Sequence, residues 1–120
     1  MRIENDHGGR IGTYMRRFRA LRDSGEKVVV DGDCVSACTL LLGYVPKDRI
    51  CVTPKARFGF HSAWKPGFFG IHTFNAAGTA ILYSRYPADI KNWLAQSGGL
   101  SNRMIYLSGS DLTAFYDRCR

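Results

Sequence analysis

At 120 residues with 45% hydrophobic side chains, the chain is long enough for one hydrophobic core and too short for two ordinary domains, so a single domain over 1–120 is expected. Charged residues at 22%, aromatics at 12% and the lack of any low-complexity tract exclude a disordered segment. The balance of 17 basic against 10 acidic residues gives +7, yet Arg10, Arg16, Arg17, Arg19 and Arg22 fall in one stretch and read as a solvated helix face. Nucleic acid is therefore not an expected partner.

Ile11 to Arg22 carries Ile11, Tyr14, Met15, Phe18 and Leu21 at helical spacing, with Ser24 and Gly25 as the stop. Lys27 to Val30 is short, continuous and β-branched, as a buried parallel strand is, and Asp31, Gly32 and Asp33 read as the turn that ends it. A second helix is expected from Ser36 to Leu42, closed by Gly43. Ile50 to Val52 and Arg57 to Phe60 are the next strand candidates. His61 to Gly70 reads as an apolar loop that lines a cleft, touches a partner or simply packs over the core. Helices follow at Gly78 to Tyr86 and Pro87 to Gln96, ended by Gly98 and Gly99, and a last helix begins near Ser108, where Asp111 three residues on resembles a capping box.

The apolar stretch from Val28 to Val45 is broken by Asp31, Asp33 and two glycines, so no membrane-spanning helix and no stable membrane insertion are expected. Met1 to Arg10 lacks the apolar core of a secretory signal, which reads as cytoplasmic unless an upstream segment exists. Cys34 and Cys38 are four apart, unlike the two-residue zinc knuckle, so no metal and no cofactor are expected. The four cysteines, at 34, 38, 51 and 119, are either small buried apolar side chains or, in an oxidising compartment, paired.

Three features carry chemistry. Ser36 lies among small residues at a helix start, where backbone N–H groups face its hydroxyl; such a serine is an N-cap or a nucleophile. His61 ends a strand and can reach a neighbouring helix start as a general base. Gly8 and Gly9 precede a helix and allow close approach of backbone N–H groups to a developing negative charge.

In order, Gly8, Gly9, the amphipathic helix, the Val-rich strand, Ser36 and then Thr53, Pro54, Lys55, Ala56, Arg57, Phe58, Gly59, Phe60 and His61 resemble the Clp protease proteolytic subunit and its ClpP/crotonase-like relatives. The resemblance is nearest to a periplasmic or uncharacterised ClpP-like branch, in which a serine flanked by cysteines, as in Cys34, Val35, Ser36, Ala37, Cys38, is familiar. It covers Gly8 to about His61 and is only general from Trp64 to Ser108.

That resemblance implies a layered α/β fold of ββα-type units. It implies a serine hydrolase, most concretely a peptidase, with Ser36 as nucleophile and His61 as base. The N–H groups of Gly9 and Ala37 would form the oxyanion hole, with Gly8 on the substrate-binding strand. Aligning Leu107 and Ser108 on the family's pattern puts Met104 where an acid is expected; Asn102 and Asp111 are the nearby substitutes for a third member. Only seven residues precede the glycine pair, so the family's first strands and helix are expected to be missing. A periplasmic location follows if an upstream signal segment exists, and an exposed sheet edge would call for a partner chain, a homo-oligomer. The alternative within the fold is a catalytically weak or inactive binding and assembly module. Acyl-thioester chemistry and basic-surface binding are more distant readings.

Overall fold

A computed structural model describes residues 1–120, apart from the side chain of Phe68. It has a mixed α/β architecture built on one central strand, Val28–Val35 (β2), in which Val28, Val30, Gly32 and Cys34 point alternately into the core. A strand over Arg2–Asp6 (β1) runs parallel to it on one side, with Ile3 opposite Val30 and Asp6 opposite Cys34. The other side of β2 is shared between two parallel strands. Ile50–Val52 (β3) pairs with Val28–Val30, and Arg57–Phe60 (β4) pairs with Asp33–Val35. Ile105–Ser108 (β7) lies antiparallel on β4, and Asp117–Arg118 (β8) lies parallel on β3.

Helix α1, Ile11–Ser24, buries Tyr14, Phe18 and Leu21 and turns its arginines outward, ending at Gly25 in the left-handed region (φ 75°). Ser36–Leu40 is a 3-10 turn that passes into a short helix, Leu41–Tyr44 (α2). Ala76–Arg85 (α3) starts under a side-chain cap in which Asn75 accepts from the Gly78 N–H, and Ala88–Gln96 (α4) buries Ile90 and Leu94. Gly109–Thr113 (α5) follows β7 directly. The core joins α1, β2, β4, the 3-10 turn, α2 and α4, with Phe18, Val30, Phe58, Phe60, Leu40, Leu41 and Leu94 at its centre.

The structure corrects several sequence expectations. Asp31, Gly32 and Asp33 do not end the strand but lie inside β2. The two aspartates share the half-buried face, where Thr53 and Arg2 hold the Asp31 carboxyl below its usual range and Arg57 does the same for Asp33. Gly32 is there because β1 shifts register beside it, and a Cβ would stand 1.5 Å from the Glu4 carbonyl oxygen. Gly43 does not close α2; it sits within it, where a Cβ would meet the Arg85 carbonyl oxygen at 2.2 Å.

The seven residues ahead of the glycine pair hold one paired strand, β1, and no helix. The stretch after His61 is not all loop, since Trp64–Pro66 (β5) and His72–Phe74 (β6) form an antiparallel hairpin. Ser108 ends β7 and makes no side-chain cap bond, so the capping box with Asp111 does not form.

Candidate active site

Three parallel strands end at one edge of the sheet, and their registers decide what meets there. Asp6 lies opposite Cys34, so two residues past the end of β1 bring Gly8 level with the turn after β2. Val35 lies opposite Gly59, so Ser36 and His61 leave the carboxyl ends of adjacent strands. Carboxyl ends of parallel strands are where open α/β sheets present their sites. A cleft of about 340 Å³ opens there, lined by His7, Gly8, Gly9, Ser36, His61, Trp64, Lys65, Pro66 and His72.

Ser36 is held in the left-handed region at φ 60°, a conformation that costs a non-glycine residue on the order of 1–3 kcal/mol. Several contacts enforce it. Thr39 Oγ1 donates to the Ser36 carbonyl at 2.5 Å, so its single proton is committed and the Tyr86 hydroxyl donates to Thr39 Oγ1 at 2.6 Å. Burial pushes the Tyr86 phenol well above its usual range and keeps it a donor. A disulfide between Cys34 and Cys38 spans the turn, with Ser36 at its centre.

The glycine pair is pinned by Asp6, whose Oδ1 accepts from the Gly8 N–H at 2.9 Å and from the Tyr14 hydroxyl at 2.6 Å. Burial, and then the Asp6 carboxylate, raise the Tyr14 phenol and keep its proton in place. Gly8 adopts φ 89°, and a Cβ there would stand 2.8 Å from Ser36 Cβ and 3.1 Å from the Ala37 nitrogen. Only glycine lets the two turns approach this closely. Gly9 follows in the cleft wall, and Ala37 N–H is among the first groups of the 3-10 turn, which have no acceptor within it.

His61 is half-buried and stacks on Trp64, with ring centroids 5.0 Å apart at 28°. Its Nδ1 lies 2.5 Å from the Ser62 carbonyl oxygen. A carbonyl only accepts, so Nδ1 carries the proton and Nε2 is the free base of the neutral ring.

The structure brings Ser36, His61, Gly8 and Gly9 to one cleft, with Ala37 behind Ser36. It does not bring the two substitutes for a third member there. Asn102 is exposed and lines a neighbouring cleft with Ser62, Leu100 and Ser101. Asp111 is exposed in the first turn of α5, because the chain after β7 turns away from the carboxyl end of β4. Met104 packs against Gly59, two residues before His61: its sulfur would be 2.9 Å from a Cβ there. A thioether accepts a proton too weakly to orient an imidazole, and the Ser62 carbonyl takes that place. Sequence reasoning missed this group because any residue supplies a carbonyl.

No family model matches the chain, and no curated protein matches it in sequence. Among solved structures it is similar to a mutant ClpP1 from Listeria monocytogenes, with a TM-score of 0.53 at 16% identity over 96% of this chain and 68% of that one. The fold is ClpP-like. At that identity the likeness concerns the fold alone, and this ClpP-like chain's chemistry has to be argued from its own cleft.

Proposed function

We propose that this ClpP-like chain is a serine hydrolase whose concrete substrate is a peptide bond. The observation that carries the reading is the strained Ser36, held at φ 60° in the same cleft as His61 and against the Gly8 turn. Non-glycine residues in this region persist where surrounding structure over-determines them, and such positions cluster at functional sites.

In the reaction, Ser36 Oγ attacks the scissile carbonyl carbon while its proton passes to His61 Nε2. The Gly9 and Ala37 N–H groups donate to the oxyanion of the tetrahedral intermediate. His61 then protonates the leaving amine as the C–N bond breaks, and water repeats the sequence to free Ser36. Gly8 keeps the oxyanion donors close by admitting no side chain between them. No carboxylate lines the cleft among the described residues, so nothing there repels the developing negative charge.

The Ser62 carbonyl fixes the tautomer that a buried aspartate would otherwise fix, but as a neutral group it stabilises an imidazolium less. A slow hydrolase is the consequence. Two disulfides support an oxidising compartment such as the periplasm, where cystines persist.

A fluorophosphonate probe tests the reading, because Oγ attack on phosphorus with loss of fluoride needs the nucleophile, the base and the oxyanion donors together. The expected result is a stoichiometric adduct on the wild type and none on Ser36→Ala. An unlabelled, folded wild type would remove the hydrolase reading.

The second reading, a non-catalytic binding and assembly module, is favoured by the absence of a carboxylate from the His61 cleft among the described residues and by the apolar hairpin. Trp64, Ile71 and Phe74 are 50%, 63% and 58% exposed, and burying them against a second copy would suit a homo-oligomer. It requires that His61→Ala leave the biological phenotype intact in a complementation assay.

A further inference from the structure

Cys34 and Cys38 stand two residues before and two after Ser36, and their disulfide closes a loop of which Ser36 is the middle residue. Both cysteines are fully buried, with Cα atoms 5.2 Å apart. Cys34 is fixed in β2 between Asp6 and Phe58, and Cys38 lies in the 3-10 turn, so the bond ties the strand end to the turn that follows it. A five-residue covalent ring has far fewer conformations than the open chain. An unconstrained serine has every reason to leave positive φ for the extended or right-handed regions. The second disulfide, Cys51–Cys119, spans 68 positions, joins β3 to the residue after β8 and touches no part of this cleft.

We propose that the Cys34–Cys38 disulfide is a positioning element for the nucleophile, so that reactivity of Ser36 is conditional on oxidation of this pair. The inference rests on Ser36 being the nucleophile. Reduction by a dithiol proceeds through attack of its thiolate on one cystine sulfur to give a mixed disulfide. The second thiol of the reductant then closes its own ring. Two electrons pass to the cystine, Cys34 and Cys38 each end as a thiol with one proton, and the reductant leaves as a cyclic disulfide. The opened turn then relaxes from φ 60°, moving Oγ within the cleft it shares with His61 and the Ala37 N–H away from the Gly8 turn. A displacement of about 1 Å of a reacting group costs on the order of 10²-fold in rate.

Burial supplies an internal control. Cys51 and Cys119 are half-buried whereas Cys34 and Cys38 are inaccessible, so stepwise reduction opens the remote bond first.

The test measures fluorophosphonate labelling of the full chain, separating the inactivation rate constant from probe affinity, with circular dichroism melts alongside. Cys34→Ala/Cys38→Ala is expected to keep probe affinity and lose on the order of 10²-fold in the rate constant, while Cys51→Ala/Cys119→Ala keeps the wild-type rate constant. A folded Cys34→Ala/Cys38→Ala chain that labels at the wild-type rate overturns the proposal.

Should that variant not fold, a dithiothreitol titration of the wild type decides. Labelling must fall as Cys34 and Cys38 become alkylatable and return on reoxidation. Loss that tracks Cys51 and Cys119, or full labelling of a reduced, folded chain, overturns the proposal. An oxidised wild type that does not label at all overturns the nucleophile assignment itself, which sets that failure apart from this one.

Discussion

Ser36→Ala, His61→Ala and the double variant are expected to fall to one common residual hydrolysis rate. Nucleophile and base act as a unit: once either is gone, the other has nothing to do, and their losses do not add. With the carboxylate of a full triad, such a loss reaches about 10⁶-fold. Here the Ser62 carbonyl holds the His61 tautomer but stabilises its cation less, so the starting rate is lower and the expected drop is on the order of 10⁴-fold. The rate to measure is cleavage of an activated ester, whose weak bond makes a slow enzyme visible. Ser36→Gly should lose the same activity while gaining about 1 kcal/mol of stability, since glycine occupies φ 60° without strain. Additive losses, or a Ser36→Gly chain no more stable than wild type, would contradict the assignment of a strained nucleophile.

Gly32→Ala is expected to have the largest effect on the fold. A Cβ at 32 would lie 1.5 Å from the Glu4 carbonyl oxygen and 2.6 Å from its carbon, and these are backbone atoms of the paired strand that cannot swing aside. Strand β1 must detach, exposing Ile3 and releasing Asp6, the group that holds Gly8 against Ser36. The cost should exceed about 4 kcal/mol in denaturant unfolding, in the range reserved for a named structural failure. Labelling of Ser36 should disappear with it even below the unfolding midpoint. Gly12→Ala is the matched control: its Cβ meets only the Arg16 guanidinium at 3.6 Å in the first turn of α1, and the substitution should leave stability unchanged or raise it by less than about 1 kcal/mol. A Gly32→Ala protein that melts with the wild type would show that β1 does not pair as described.

These two substitutions also mark what was legible in the amino-acid sequence. Helix α1 was, because Tyr14, Phe18 and Leu21 repeat at helical spacing and Gly25 stops it. The Ser36 turn and the strand before His61 were legible through their order along the chain, although nothing local set Ser36 at positive φ. Strand β1 was not, since in Arg2–Asp6 only Ile3 is buried and a single apolar residue has no period. The same holds for the β5–β6 hairpin, whose side chains are all exposed.

Asp31, Gly32 and Asp33 carried turn chemistry by composition, yet pairing on both sides of β2 and cations across its open face overrode it. Cysteine pairing could not be read, because four cysteines allow three connectivities and only the fold selects one. Asn102 and Asp111 lie outside the cleft that holds Ser36 and His61, whereas the group beside His61 Nδ1 is the Ser62 backbone carbonyl, which no residue type marks in a sequence.

The most direct measurement is a crystal structure of the oxidised chain after reaction with a fluorophosphonate. The expected density shows phosphorus bonded to Ser36 Oγ, its phosphoryl oxygen about 2.7–3.1 Å from the Gly9 and Ala37 nitrogens, and His61 Nε2 facing the ester oxygen. Phosphorus on another residue, or a phosphoryl oxygen turned away from both amides, would contradict it.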